Sequence, residues 1–251
     1  MDKNSNAYTF IFAVGMVIVV AVVLSFLATS LKPMQDKNVK QEKMQNILNT
    51  FVGDSLLVDG KKVLLTRELA SEKFDQYIVN QYALNHKGEN VEGKEAFNIK
   101  LANEIKKPVE EQVFPLYEAN YEGTNYYVIP LRGSGLWDAI WGYVALKEDL
   151  NTIEGVIFDH KGETAGLGAE ITTDWFQESF EEEKIKNDQG DIVGVEVKKG
   201  YSGGKDKSDN QVNAISGATI TGDGVTKMMK ERLTKYKPFF QKKKNSKLAI
   251  R

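Results

Sequence analysis

Ala7 to Leu31 contains no charged residue. At about 1.5 Å of rise per residue a helix of this run exceeds a hydrocarbon core of ~30 Å. Signal peptides have shorter apolar cores, of roughly 7–15 residues. The run therefore predicts an uncleaved single-pass anchor, although Ala28-Thr29-Ser30 has the small-x-small spacing of a cleavage site. Pro33 is expected to close this helix. Beyond it, Met44, Ile47, Leu48, Phe51 and Val52 recur at helical spacing and predict an amphipathic helix. Leu56-Leu57-Val58 and Val63-Leu64-Leu65 flank Asp59-Gly60, a hairpin signal. Thr66 is placed to cap a helix through about Tyr82, and Asn85 to Lys100 reads as loop.

Strands are expected at Val113–Tyr117 and Tyr126–Ile129, around a loop from Asn120 to Asn125. Gly133-Ser134-Gly135 turns the chain into an aromatic-rich strand through Leu146, with the even spacing of Trp137 and Trp141 placing both on one face. Val156-Ile157-Phe158 is a further strand, Thr172 or Thr173 caps a helix through Ile185, and Ile192 to Val197 is another strand. Val225, Met228, Met229, Leu233 and Tyr236 recur near the helical period, with a stop expected near Pro238 and a basic tail after it. Strands and helices are interspersed with hairpin-like links. The fold class predicted is α+β: one N-terminal membrane helix (1–32), a soluble domain with a mainly antiparallel sheet and flanking helices (33–240), and a C-terminal tail (241–251).

The chain has no Cys and two His, His86 and His160. Thiolate-ligated iron–sulfur clusters, disulfides and thiol catalysis are excluded, and no metal site is expected from two isolated histidines. A formal net charge of −2 gives no reason to expect nucleic acid as a partner. No residue stands out as a nucleophile or proton-transfer catalyst. Ser216 is flanked at the elbow positions by Ala214 and Ala218 rather than glycine. Redox work by this chain requires an organic cofactor.

Ser216-Gly217-Ala218-Thr219-Ile220-Thr221 places Thr219 at or just before a helix start. Helix N-termini offer unpaired N–H groups and partial positive charge, which suits a phosphate. The bland reading is a hydroxyl N-cap beside a glycine turn. Ser216-Gly217-Ala218-Thr219 resembles the flavinylation motif of the FMN-binding domain family, with Asn213 where the family usually has Asp. Glu163-Thr164-Ala165-Gly166-Leu167-Gly168 resembles a second signature of that family, with Ala165 in place of proline. Its glycines would let backbone approach a planar ring, and Leu167 would cover one face of it. Gly135-Leu136-Trp137 resembles the corresponding segment in the C subunits of sodium-translocating NADH:quinone reductases.

The resemblance implies a flavoprotein that serves as a subunit of such a reductase and relays electrons through FMN joined by a phosphoester to Thr219. Ser216, Gly217, Ala218, Thr221, Glu163, Thr164, Gly166, Leu167, Gly168, Gly135, Leu136 and Trp137 would line the flavin. It implies as partners the other subunits of a membrane-bound quinone reductase, a flavin transferase and membrane lipid. NADH oxidation and quinone reduction would belong to other chains. The alternatives are the equivalent flavin subunit of an Rnf-type ferredoxin-linked complex and a non-redox, membrane-anchored binding protein. Lys32, Lys37, Lys40 and Lys43 after the apolar run favour a cytoplasmic domain by charge counting. The resemblance implies the opposite side of the bacterial inner membrane, and charge counting loses force for large domains.

Overall fold

The computed structural model describes residues 5–58, 60–201 and 206–249. Lys3, Asp59, Ile250 and Arg251 lie outside them. The chain divides into two compact units, Met1–Lys43 and Met44–Arg251. Within the first, Phe10, Val17, Leu24 and Phe26 are all exposed, as suits a helix with an apolar 18-residue window of mean hydropathy 3.0. This helix, α1, spans Asn6–Val52 and does not end at Pro33, which sits inside it. An interior proline removes one backbone bond and costs about 3 kcal/mol, which the long run of flanking turns offsets.

The second unit begins with the C-terminal turns of α1, where Ile47, Leu48 and Phe51 are buried as the stripe requires. β1 (Ser55–Val58) and β2 (Lys61–Leu64) form the expected hairpin. Thr66 caps α2 (Arg67–Tyr77), its Oγ1 accepting from Leu69 N at 3.2 Å. The helix stops earlier than Tyr82 because Ile78 begins a strand, β3 (Ile78–Leu84). Ile78 and Val79 are β-branched, and the strand finds a partner in β4 (Phe114–Tyr121). A 3-10 turn at Ala96–Asn98 and a single helical turn, α3 (Leu101–Glu104), interrupt the segment between them.

β4, β5 (Thr124–Ser134), β6 (Ala139–Leu146) and β7 (Ile153–His160) complete an antiparallel sheet in the order β3-β4-β5-β6-β7. The β4–β5 link is shorter than the Asn120–Asn125 loop expected. Tyr121 pairs with Thr124, and Glu122 and Gly123 both take positive φ, at 50° and 81°. That is the backbone of a two-residue hairpin turn. Trp137 lies in the turn between β5 and β6 rather than on the strand with Trp141, so the two do not share a strand face.

Both faces of this sheet are covered. Tyr117, Val128 and Ala145 join a core with Ile47, Phe51, Leu56 and Phe74. Their chain neighbours Leu116, Tyr127, Ile129 and Val144 face a second core with Phe158, Phe176, Val225 and Met228. The period of two sends adjacent residues to opposite cores, so the strands read as nearly continuous apolar runs.

The helix expected from Thr173 to Ile185 is only α4 (Asp174–Glu178). Past it, Glu182 N donates to Ile153 O and Ile153 N to Glu183 O, both at 2.9 Å, which fastens the chain to β7 instead. The strand expected from Ile192 is reduced to β8 (Glu196–Lys198), paired in parallel with β9 (Gln211–Asn213). α5 (Thr219–Thr234) lies close to the end of β5: a Cβ on Gly224 would stand 2.4 Å from Ser134 O. Pro238 does not end a helix but sits in the first turn of α6 (Lys237–Ala249), where a missing N–H costs little. The segment expected as a tail is thus helical to Ala249. Phe239 and Phe240 are buried, and Lys243 reaches Glu118 at 2.8 Å.

Candidate functional site

Three segments distant in sequence meet at the N-terminus of α5. They are the turn Gly135–Asp138, the loop Glu163–Gly168 that follows β7, and Ser216–Thr221. The carboxylate of Glu163, 7% exposed, joins them. Its Oε1 accepts from Trp137 N at 2.9 Å and, more weakly, from Asp138 N at 3.5 Å. Its Oε2 accepts from Thr221 Oγ1 at 2.5 Å. Burial would raise this carboxyl's pKa. The bonds from Thr221 and from the amides of Trp137, Leu136 and Asp138 outweigh it and hold the group below its ordinary value.

The glycines of the two signatures follow from this tie. A Cβ on Gly135 would stand 2.5 Å from Glu163 Oε1. One on Gly168 would stand 2.5 Å from both Glu163 Oε2 and Thr221 Oγ1. On its Cβ side Gly168 therefore makes room for the carboxylate and hydroxyl. Gly166 has φ +74° with open space around it, and its N–H donates to Glu170 Oε1 at 3.0 Å. Gly217, at φ +78°, brings its backbone against Leu167.

A cavity of about 200 Å³ opens at this junction. Leu136, Glu163, Thr164, Leu167, Gly168, Gly217, Ala218, Thr219, Ile220 and Thr221 line it, so most of the residues singled out in the sequence come together. Ser216 is exposed but does not line it, and neither does Gly166. Trp137 is 69% exposed and donates Nε1–H to Thr164 Oγ1 at 3.1 Å. It lines a neighbouring cavity of about 420 Å³ with Leu136, Arg132 and Lys106. Ile220, 57% exposed, was missed. Its place outside the core stripe of α5 was the available signal.

The three hydroxyls of the motif differ. Thr221 is 1% exposed and held by Glu163. Thr219 is exposed, lines the cavity and is the first residue of α5. Ala218 at the cap offers no side-chain acceptor, so the first-turn amides are left to solvent or to a ligand. Leu136, Leu167 and Ile220, all partly exposed, give the cavity an apolar rim. A hydroxyl among uncapped amides beside apolar surface suits an anionic group attached to a flat apolar body.

Residues 135–234 match the FMN-binding domain family, a span holding all three segments. The chain is thus a flavoprotein of the class built on that domain. The C subunit of the Na(+)-translocating NADH-quinone reductase of Neisseria meningitidis serogroup B is 30% identical over 237 residues, covering 89% of this chain and 88% of that protein. The corresponding Haemophilus ducreyi protein is 29% identical over 245 residues, covering 91% and 90%. The crystal structure of the C subunit from Parabacteroides distasonis superposes with a TM-score of 0.72 at 34% identity, covering 84% of this chain and 96% of its own. The Shewanella oneidensis NqrC structure, at 23% identity and a TM-score of 0.64, shares the fold. The chain belongs to the family of C subunits of the Na(+)-translocating NADH-quinone reductase. Its partners are the other subunits of that membrane-bound complex. This is the first of the two complexes weighed from the sequence.

Proposed function

We propose that this protein carries FMN joined by a phosphoester to Thr219 and relays electrons between other subunits of the complex. The observation that carries the reading is the contrast among the hydroxyls. Thr219 is exposed on the uncapped first turn of α5, whereas Thr221 is committed to Glu163. The amides and dipole of α5 favour a phosphate there by about 0.3–1 kcal/mol. Leu136, Leu167 and Ile220 offer apolar surface to the ring system, and Glu163, Gly135 and Gly168 hold the segments that carry them. Ser216, Gly217, Ala218, Thr164, Gly166 and Trp137 border the same junction.

The size of the cavity supports a covalent link. Pockets that bury a drug-sized ligand measure roughly 300–1,000 Å³, and this one measures about 200 Å³. Shallow burial holds a cofactor weakly, so retention falls to a bond. Bound FMN supplies one- and two-electron transfer, linking hydride donors to one-electron carriers. Asn213, exposed on β9 beside the motif, is accessible to the flavin transferase that would make the bond.

Co-expressed with a flavin transferase, the chain is expected to gain the mass of FMN less one water on a peptide containing Thr219. Thr219→Ala abolishes the gain, and Thr219→Ser, which keeps a hydroxyl, retains part of it. Attachment at Ser216 or Thr221 would refute the assignment. The domain is further assigned to the extracytoplasmic side, with the apolar part of α1 in lipid. Protease added to intact spheroplasts should digest the domain. Protection until lysis would place it in the cytoplasm.

A further inference from the structure

Toward the other end of α5, thirteen residues and so about 20 Å along the helix from Thr219, lies a cavity of about 610 Å³. Val109, Gln112, Lys227, Lys230, Glu231, Arg232, Thr234 and Lys235 line it, four cationic side chains against one carboxylate. Two of its polar side chains have unmet hydrogen-bonding capacity. Arg232 has a side chain only 13% exposed. Among the described residues, its Nε and Nη1 are buried with no acceptor, and Nη2 reaches only Glu231 Oε2 at 3.7 Å. Gln112 is 6% exposed. Its Nε2 donates to Lys107 O at 2.7 Å, which fixes the orientation of the amide, and its Oε1 is buried with no donor among the described residues.

A largely desolvated guanidinium without a close counter-ion is costly. The C-terminal end of α5 favours a cation, but the helix dipole contributes less than such desolvation costs. Glu231 does little to neutralise the cavity, being exposed and placed also beside Lys227 at 3.9 Å. The two orphans are complementary in kind. Arg232 can only donate, and the free oxygen of Gln112 can only accept. A ligand meeting both offers an anionic acceptor and a hydroxyl donor within one small group. The excess of positive charge favours a phosphate over a single carboxylate.

We infer that this cavity is a binding site for a hydroxyl-bearing phosphate ester, of the glycerol phosphate type, with Arg232 taking the phosphate and Gln112 the hydroxyl. Two sources share this chemistry, the headgroup of an anionic phospholipid and a free polyol phosphate. The site stands independently of the flavin assignment.

The full chain in neutral detergent is titrated with sn-glycerol 3-phosphate and with methyl phosphate, which lacks the carbon-bound hydroxyl, by calorimetry. In parallel, native mass spectrometry measures retention of phosphatidylglycerol against phosphatidylcholine. Saturable binding of glycerol phosphate, tighter than that of methyl phosphate, is expected in the first arm if the source is soluble. Selective retention of phosphatidylglycerol is expected in the second if it is lipid. Arg232→Gln should weaken whichever binding is found about tenfold or more, the loss of one charge-assisted bond. Gln112→Glu supplies an internal counter-ion, and should abolish binding while raising the melting temperature. That variant keeps the test decisive if Arg232→Gln folds poorly. Absence of saturable or selective binding in both arms overturns the site. So does binding that survives Gln112→Glu unchanged.

Discussion

Two buried glutamates, twenty residues apart, have opposite electrostatic fates. Glu163 is 7% exposed and Glu183 is 2% exposed, so both side chains lie inside the fold. Around Glu163, a hydroxyl and neighbouring turn amides are aimed at the carboxylate, and its pKa falls. Glu183 has Lys207 Nζ at 3.4 Å from one oxygen, while the other oxygen has no partner among the described residues. Burial chiefly, with Asp209 and Asp206 nearby, overrides the pull of Lys207 and pushes this carboxyl from 4.5 to about 7. Lys207 is also shared, donating to Ser179 O at 2.8 Å. Fixed donors pointing at both oxygens matter more than one cation at longer range.

The largest expected effect comes from removing the satisfied carboxylate. Glu163→Ala leaves part-buried turn amides and the buried Thr221 hydroxyl without an acceptor, and should cost on the order of 3 kcal/mol in urea unfolding at neutral pH. Because the folded pKa of Glu163 is depressed, its stabilisation is present above the ordinary carboxylate range. It disappears as pH falls through the folded value, so the gap between wild type and variant should narrow in acid. A gap independent of pH would mean that charge is not what joins the three segments.

The opposite sign is expected for Glu183→Gln. A raised folded pKa stabilises the fold fully below about 4.5 and loses that contribution as pH rises through about 7. Above pH 8 the variant should therefore be more stable than wild type, by up to about 3 kcal/mol, and near pH 4 the two should coincide. Equal stability at both pH values would dissolve the contrast. A smaller effect sharpens the role of geometry around Glu163. Gly168→Ala drives a methyl into the Glu163–Thr221 contact and should cost about 1–3 kcal/mol. The same change at Gly166 meets no atoms and is limited to the strain of its positive φ. Denaturation of the two alanine variants, each measured alone and with Glu163→Ala, should show the Gly168 penalty reduced once the carboxylate is gone, with the Thr221 hydroxyl contact remaining, and the Gly166 penalty unchanged.

Much of the fold is legible because it rests on periodicity. The charge-free run of α1, the Ile47–Leu48–Phe51 stripe, the β1–β2 hairpin, the Thr66 cap and the start of α5 at Thr219 all follow from local spacing and composition. Misreadings arose where a local rule met a partner distant in the chain. α2 reads as helix beyond Tyr77 until β4 claims Ile78. Pro238 reads as a stop, although a proline suits the first turn of α6 equally well. Gln241 onward reads as a basic tail because Lys242 and Lys243 find their acidic partners, Glu89 and Glu118, far earlier in the chain. At the site, the motifs marked residues most of which the fold brings to one cavity, but the Glu163–Thr221 bond spans 58 positions and has no periodic signature. The role of Gly168 could not be read without it.

The order of strands has a consequence for timing. Every pair in the β3-β4-β5-β6-β7 sheet joins strands adjacent in sequence, so the sheet can zip in chain order, its longest closure spanning the segment between Leu84 and Phe114. As the chain leaves the ribosome, that meander is complete at His160, before Thr219 has been synthesised. In that order α5 would dock onto a sheet already formed, and the hydroxyl of Thr221 would meet the Glu163 carboxylate there. Thr219 acquires its setting among the last events of this order, so under the proposed attachment a modifying enzyme would meet a nearly finished domain.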